Sequence, residues 1–171
     1  YNNYFREMDI ERAVSKTSYQ VDDVTYTREM LASLPDRVIV VHLSASAPNS
    51  LTFDVGFFSP RPDVKAQTVG ADIAVSGVTS DHEKVKGKVR FKGIARLKVD
   101  GGNLLSTDSM LQVKNANAVT IYISIGTNFN RYDDISGDEN ERASRYLNQA
   151  SIKSFDQIKK AGNPDNPPVV E

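Results

Sequence analysis

Apolar residues recur at every second position over most of this chain, the period of a half-buried β-strand. The opening segment Tyr1-Asn2-Asn3-Tyr4-Phe5 already reads as a strand. Ala13 to Val21 and Val24 to Leu31 alternate, and Asp22-Asp23 between them suits a two-residue hairpin turn. Val38 to Ala45 is a β-branched run suited to a strand covered on both faces. Leu51 to Phe58 is closed by Ser59-Pro60-Arg61-Pro62, where proline ends any ladder. Val69 to Val75 and Val85 to Val99 follow, then Asp100-Gly101-Gly102-Asn103, a turn with the glycine that positive φ requires. Leu104-Leu105 and Met110 to Val113 are short strands, and Val119 to Ile125 is the last strong one. About ten strands joined by turn residues predict an all-β antiparallel sandwich.

The period changes after Tyr132. Asp138 with Glu141 three residues on resembles a capping box. Ala143, Leu147, Ala150 and Ile158 then share a face, with Phe155 at its edge. Gly162 suits the position just past a helix end and Pro164 blocks continuation. The spacing therefore predicts one linker α-helix of about six turns. The expected division is a sandwich over 1–132, a connector helix over 133–162 and a Pro-rich tail over 163–171. That tail holds three of the seven prolines and reads as a semi-rigid linker. A chain that opens on a strand without an initiator Met and closes on a linker suggests a domain from something larger.

Composition narrows the function. Charge is balanced at 21 Lys+Arg against 22 Asp+Glu, which argues against a nucleic-acid partner held by bulk charge. With no Cys there is no disulfide, thiolate nucleophile or zinc finger. No apolar run is long enough for a membrane span. The nucleotide-binding glycine motifs are absent, so no cofactor is expected. The segment Gly126-Thr127-Asn128-Phe129-Asn130 follows a strand without opening a helix, so it is no phosphate cradle.

The candidate chemistry has a structural reading beside each functional one. Lys84, Lys86, Lys88, Arg90 and Lys92 alternate with Val85, Val89 and Phe91, which predicts one cationic strand face. It would hold an anion or acidic partner, or simply face water. His42 shares a face with Val40 and offers either a catalytic base or a hydrogen-bonded histidine. His82 lies between Asp81 and Glu83, far from His42, so the pair supports no metal site. Glu7, Asp9, Glu11, Glu29, Asp54, Asp133, Asp134 and Asp138 are carboxylates of the type that acts as acid and base in glycoside hydrolysis, without spacing that pairs any two. The Asp134–Asp138 stretch fails as a calcium loop, since Glu139 and Arg145 stand where Gly and Glu are needed. Tyr19 and Tyr26 form either an aromatic platform for sugar or a cross-strand packing pair.

An ordered string of segments carries a family resemblance. Tyr4-Phe5-Arg6-Glu7-Met8-Asp9-Ile10 is followed by Val24-Thr25-Tyr26-Thr27-Arg28-Glu29-Met30-Leu31-Ala32-Ser33 and Pro35-Asp36-Arg37-Val38-Ile39-Val40-Val41. Val89-Arg90-Phe91 through Asp100-Gly101-Gly102 comes next. Val113-Lys114-Asn115-Ala116-Asn117-Ala118-Val119-Thr120-Ile121-Tyr122 and Gly126-Thr127-Asn128-Phe129 complete the string. It resembles the N-terminal β-sandwich domain of glycoside hydrolase family 95, the α-L-fucosidase group, over about residues 4–160. The resemblance implies a secreted or periplasmic, metal-free, inverting enzyme whose catalytic Glu and Asp lie in a C-terminal (α/α)6 barrel. On that reading no catalytic, cofactor-binding or metal residue falls on this chain. Its partners are the helical barrel of the same parent protein and, through the parent, a glycan substrate. The expected role is bracing the barrel, with Leu147, Ala150, Phe155 and Ile158 as part of the docking face or folded back on the sandwich. The alternatives are a free-standing carbohydrate-binding sandwich and a self-associating structural module.

Overall fold

A computed structural model describes residues 1–64 and 66–161. The expected tail over 163–171, the Gly162 cap and the Pro164 stop lie outside the described residues. The elements are β1 (Asn2–Asp9), β2 (Val14–Val21), β3 (Val24–Ser33), β4 (Val38–Ala45), β5 (Leu51–Gly56), β6 (Ala66–Val69), β7 (Asp72–Val78), β8 (Arg90–Asp100), β9 (Asn103–Ser106), β10 (Met110–Ala116) and β11 (Ala118–Thr127), then α1 (Glu139–Ser151) and α2 (Phe155–Ala161). An eight-stranded sheet runs β1-β2-β3-β4-β11-β8-β7-β6 and a three-stranded sheet runs β5-β10-β9. Every strand pair is antiparallel. The all-β sandwich expected from the period-two pattern is the fold observed.

The large sheet carries the small sheet on one face and both helices on the other, which explains the apolar runs of its central strands. On β4, Val38 and Val40 join the core under the helices, while Val41 and Leu43 pack toward the small sheet. On β11, Tyr122 faces the helices and Val119 and Ile121 face the small sheet. Two-sided burial selects uninterrupted β-branched residues where a one-sided strand would alternate. The hairpin at Asp22-Asp23 forms as expected, with Asp22 in the left-handed region at φ 52°.

Three expectations change. The single helix is two, α1 over β8 and β11 and α2 over β3. A second capping box starts α2: the Gln157 backbone N–H donates to Ser154 Oγ at 3.2 Å and the Ser154 N–H donates to Gln157 Oε1 at 2.8 Å. The Tyr122 hydroxyl donates to the Lys153 carbonyl at 2.7 Å and fixes the elbow. The cationic row is also not one strand face. Only Arg90 and Lys92 lie in β8, and Lys84, Lys86 and Lys88 sit in a loop closed by reciprocal His82–Val85 backbone bonds. Gly87 explains the loop's path, because a Cβ there would lie 1.8 Å from the Thr79 carbonyl oxygen. The Gly101-Gly102 turn has the expected positive φ, but it carries the chain from the large sheet into the small one rather than closing a hairpin.

The helix layer is tied down by polar clamps as well as by its stripe. Asp138 accepts from the Asn140 and Glu141 N–H groups, capping α1 as its sequence position predicts. Arg96 holds Asp72 through two bonds of 2.7 and 2.8 Å and reaches Asn148 and Ser151 of α1. Arg90 bonds Glu139 at 3.0 Å. Arg142 donates to the Thr127 and Phe129 carbonyls at 2.8 Å each.

Candidate functional site

The strand register lines up side chains that are far apart in sequence. Glu7 pairs with Lys16, Lys16 with Glu29, Glu29 with His42, His42 with Thr120, and Thr120 with Lys98. Directly opposed residues of neighbouring strands share a face, so one polar row crosses six strands of the large sheet on its helix side. Helix α2 reaches this row from above. Lys159 Nζ lies 2.6 Å from Glu29 Oε1, and the Phe155 ring stacks on His42 with centroids 4.9 Å apart and planes 15° apart. Beside them an open cavity of about 530 Å³ is bounded by Glu29, His42, Lys98, Thr120 and the elbow residues 152–157.

Each group in the row is engaged. His42 Nδ1 lies 3.0 Å from Thr120 Oγ1. Burial holds the imidazole below its ordinary pKa, opposed by the negative charges of Glu29 and Asp156 and reinforced by Lys159. The ring is thus a neutral, packed histidine that seats Phe155. Glu7 and Glu29 stand two strand spacings apart, roughly 10 Å at the backbone, wider than the roughly 6.5–9.5 Å between the carboxyl groups of an inverting pair. Lys16 moreover occupies the position between them, where a sugar and its attacking water would have to sit. The arrangement positions the helix elbow and does not frame a reacting bond.

The other sequence candidates scatter. Asp9 pairs with Arg12 at 3.6 Å and Asp133 with Arg131 at 2.8 Å. Asp134 accepts from the Ser136 N–H and hydroxyl and from Asn130; those hydrogen bonds depress its carboxyl pKa, led by the Ser136 hydroxyl. Glu11 lies in the β1–β2 turn and Asp54 on β5, away from the row. Among the described residues no three His, Cys, Asp or Glu side chains group as metal ligands. Gly126 and Asn128 serve packing. A Cβ at Gly126 would lie 2.5 Å from the Glu139 carbonyl, and buried Asn128 donates to Ile135 and accepts from the Arg90 N–H. Sequence reasoning missed Lys16, Lys98, Thr120 and Lys159. The Ser154–Gln157 box was the one local signal that the chain turns back over the sheet there.

On the opposite face, Tyr19 and Tyr26 are register partners and stack at 5.4 Å with an 18° interplanar angle. Tyr1 and Tyr4 join them, and together they line an open groove of about 280 Å³ beside Leu51 of β5.

Comparison with known proteins agrees with this architecture. Residues 1–132 match the family described as "Glycosyl hydrolase family 65, N-terminal domain". Alpha-L-fucosidase 2 of Arabidopsis thaliana is 30% identical over 74% of this chain, and the match spans 17% of that protein's length. Among solved structures, a protein assigned as a kojibiose phosphorylase from the human microbiome superposes over 96% of this chain and 24% of its own, with a TM-score of 0.63 at 12% identity. At that identity the likeness speaks for the fold alone.

Proposed function

This chain belongs to the glycosyl hydrolase family 65 N-terminal domain family, and from that premise we propose that it is a non-catalytic brace for the helical-barrel catalytic domain of an α-L-fucosidase-like glycoside hydrolase. The family 95 assignment is part of the same proposal, supported by the ordered motifs and by the fucosidase match; the inverting chemistry and a secreted or periplasmic location are what that family resemblance implies.

The observation that carries the bracing role is an uncovered apolar strip. The stripe Leu147, Ala150, Phe155 and Ile158 is folded back onto the large sheet, so it is spent within the domain. On the other face the small sheet does not reach the far end of β1, β3, β4 and β11. Met8, Met30, Ile39 and Ile125 are left 63%, 44%, 38% and 60% exposed there. Contiguous apolar side chains on a sheet face mark a surface that another body covers. A barrel packed against β1–β4 would remove the strip from water.

The experiment has two arms. This chain alone, with a nitrophenyl α-L-fucoside, is expected to show background hydrolysis only; turnover above it overturns the non-catalytic assignment. Mixed with the separately produced catalytic domain of the full-length protein, it is expected to co-elute, and Ile39→Lys with Ile125→Lys is expected to abolish that complex. Co-elution unaffected by those changes would reject the strip as the docking face. A free-standing carbohydrate-binding module is the second reading, favoured by one observation, the tyrosine groove.

A further inference from the structure

The tyrosine groove adjoins the apolar strip on the same sheet face, Arg28 standing two positions from Met30 on β3, and the bracing role leaves its rings unused. Its rings are ordered by one another. Tyr19 and Tyr26 stack, Tyr1 meets Tyr19 edge-on at 5.9 Å and 66°, and Tyr4 is tilted 56° to Tyr1 at 6.0 Å. Rings fixed in this way need little further ordering when a ligand arrives. Tyr4 remains 55% exposed, so the cluster leaves aromatic surface to water. An aromatic face is electron-rich and favours the weakly positive C–H edge of a pyranose ring.

The same surface carries positive charge. Arg28 lines the groove, and the register places Arg6, Thr17 and Arg28 in one cross-strand row on this face. Neither Arg6 nor Arg28 forms an ion pair among the described residues. The ion pairs of their sequence neighbours, Glu7–Lys16 and Glu29–Lys159, belong to the polar row on the other face of the sheet. Guanidinium forks beside aromatic rings complement a carboxylate on a sugar.

We propose that this groove binds a pyranose unit of an acidic glycan, the ring packed on Tyr4 and Tyr1 and the carboxylate held by Arg28. The test below reads glycan binding by this chain alone and the docking test reads co-elution with the catalytic domain, so the failure of one proposal is distinguishable from the failure of the other. The test is affinity electrophoresis and calorimetric titration of the whole chain with polygalacturonate and with its fully methyl-esterified, neutral form. Polygalacturonate is expected to bind at least tenfold more tightly than the ester. Tyr4→Ala and Arg28→Gln are each expected to weaken binding about tenfold, and Lys86→Gln, in the distant loop, to leave it unchanged. Arg28 is exposed, so Arg28→Gln keeps the test open even if a tyrosine variant unfolds. Absence of binding, equal binding of the two polymers, or binding that Arg28→Gln leaves intact would overturn the proposal.

Discussion

Replacing Leu147 by Ala asks whether the helix stripe is core or docking surface. Leu147 is 1% exposed and lies in the core that α1 forms with Val40, Ile94 and Tyr122. The change removes three buried carbons, about 2.4 kcal/mol of transfer free energy. The clamps at Arg96 and Arg142 hold α1 at both ends, so the site relaxes little and the cavity left behind raises the cost to about 3–4 kcal/mol. At this chain length each kcal/mol moves Tm by about 2–4 °C, which gives a fall of roughly 6–16 °C. Ile125→Ala, at a position 60% exposed, is the control and is expected to shift Tm by less than about 2 °C. Thermal unfolding followed by circular dichroism reads both. A Leu147→Ala chain melting within about 2 °C of the parent would refute the reasoning, because the stripe would then be free of the sheet and available to dock.

His42 gives a pH dependence. Its folded pKa lies below the ordinary value of about 6.5, so the unfolded chain binds the proton more readily. Its contribution is therefore complete above pH 6.5 and declines as pH falls below it. Tm is expected to drop as pH falls below about 6.5, and His42→Gln to flatten that slope; an equal slope in the variant would exclude His42 as its source. Asp138→Ala removes two hydrogen bonds to the first turn of α1 and is expected to lower the urea midpoint. An unchanged midpoint would mean that water replaces the cap.

Local chemistry is decided by residues close in sequence, and that part of the fold was legible. Alternation marked the strands, Asp22-Asp23 marked a hairpin, and Asp138 marked the start of α1. The run Val38–Ala45 even announced burial on both faces, since only a strand between two layers keeps apolar side chains on consecutive positions. The ordered motifs by themselves carry the likeness to a glycoside hydrolase N-terminal domain. What period alone left ambiguous was continuity: the helix over 139–160 looks unbroken until Ser154 and Gln157 are read as a second capping box.

Register belongs to tertiary structure, because a strand's alternation fixes which residues share its face but not which residues of other strands they meet. The row from Glu7 to Lys98 draws on positions from 7 to 120 of the chain and exists only through five strand pairings. Likewise, the apolar stripe on α1 and α2 specified that something would bury it, and only packing decided that the partner is this domain's own sheet. The consequence is an exposed strip at Met30, Ile39 and Ile125. Those positions are exposed because the small sheet has three strands against eight and cannot cover the face.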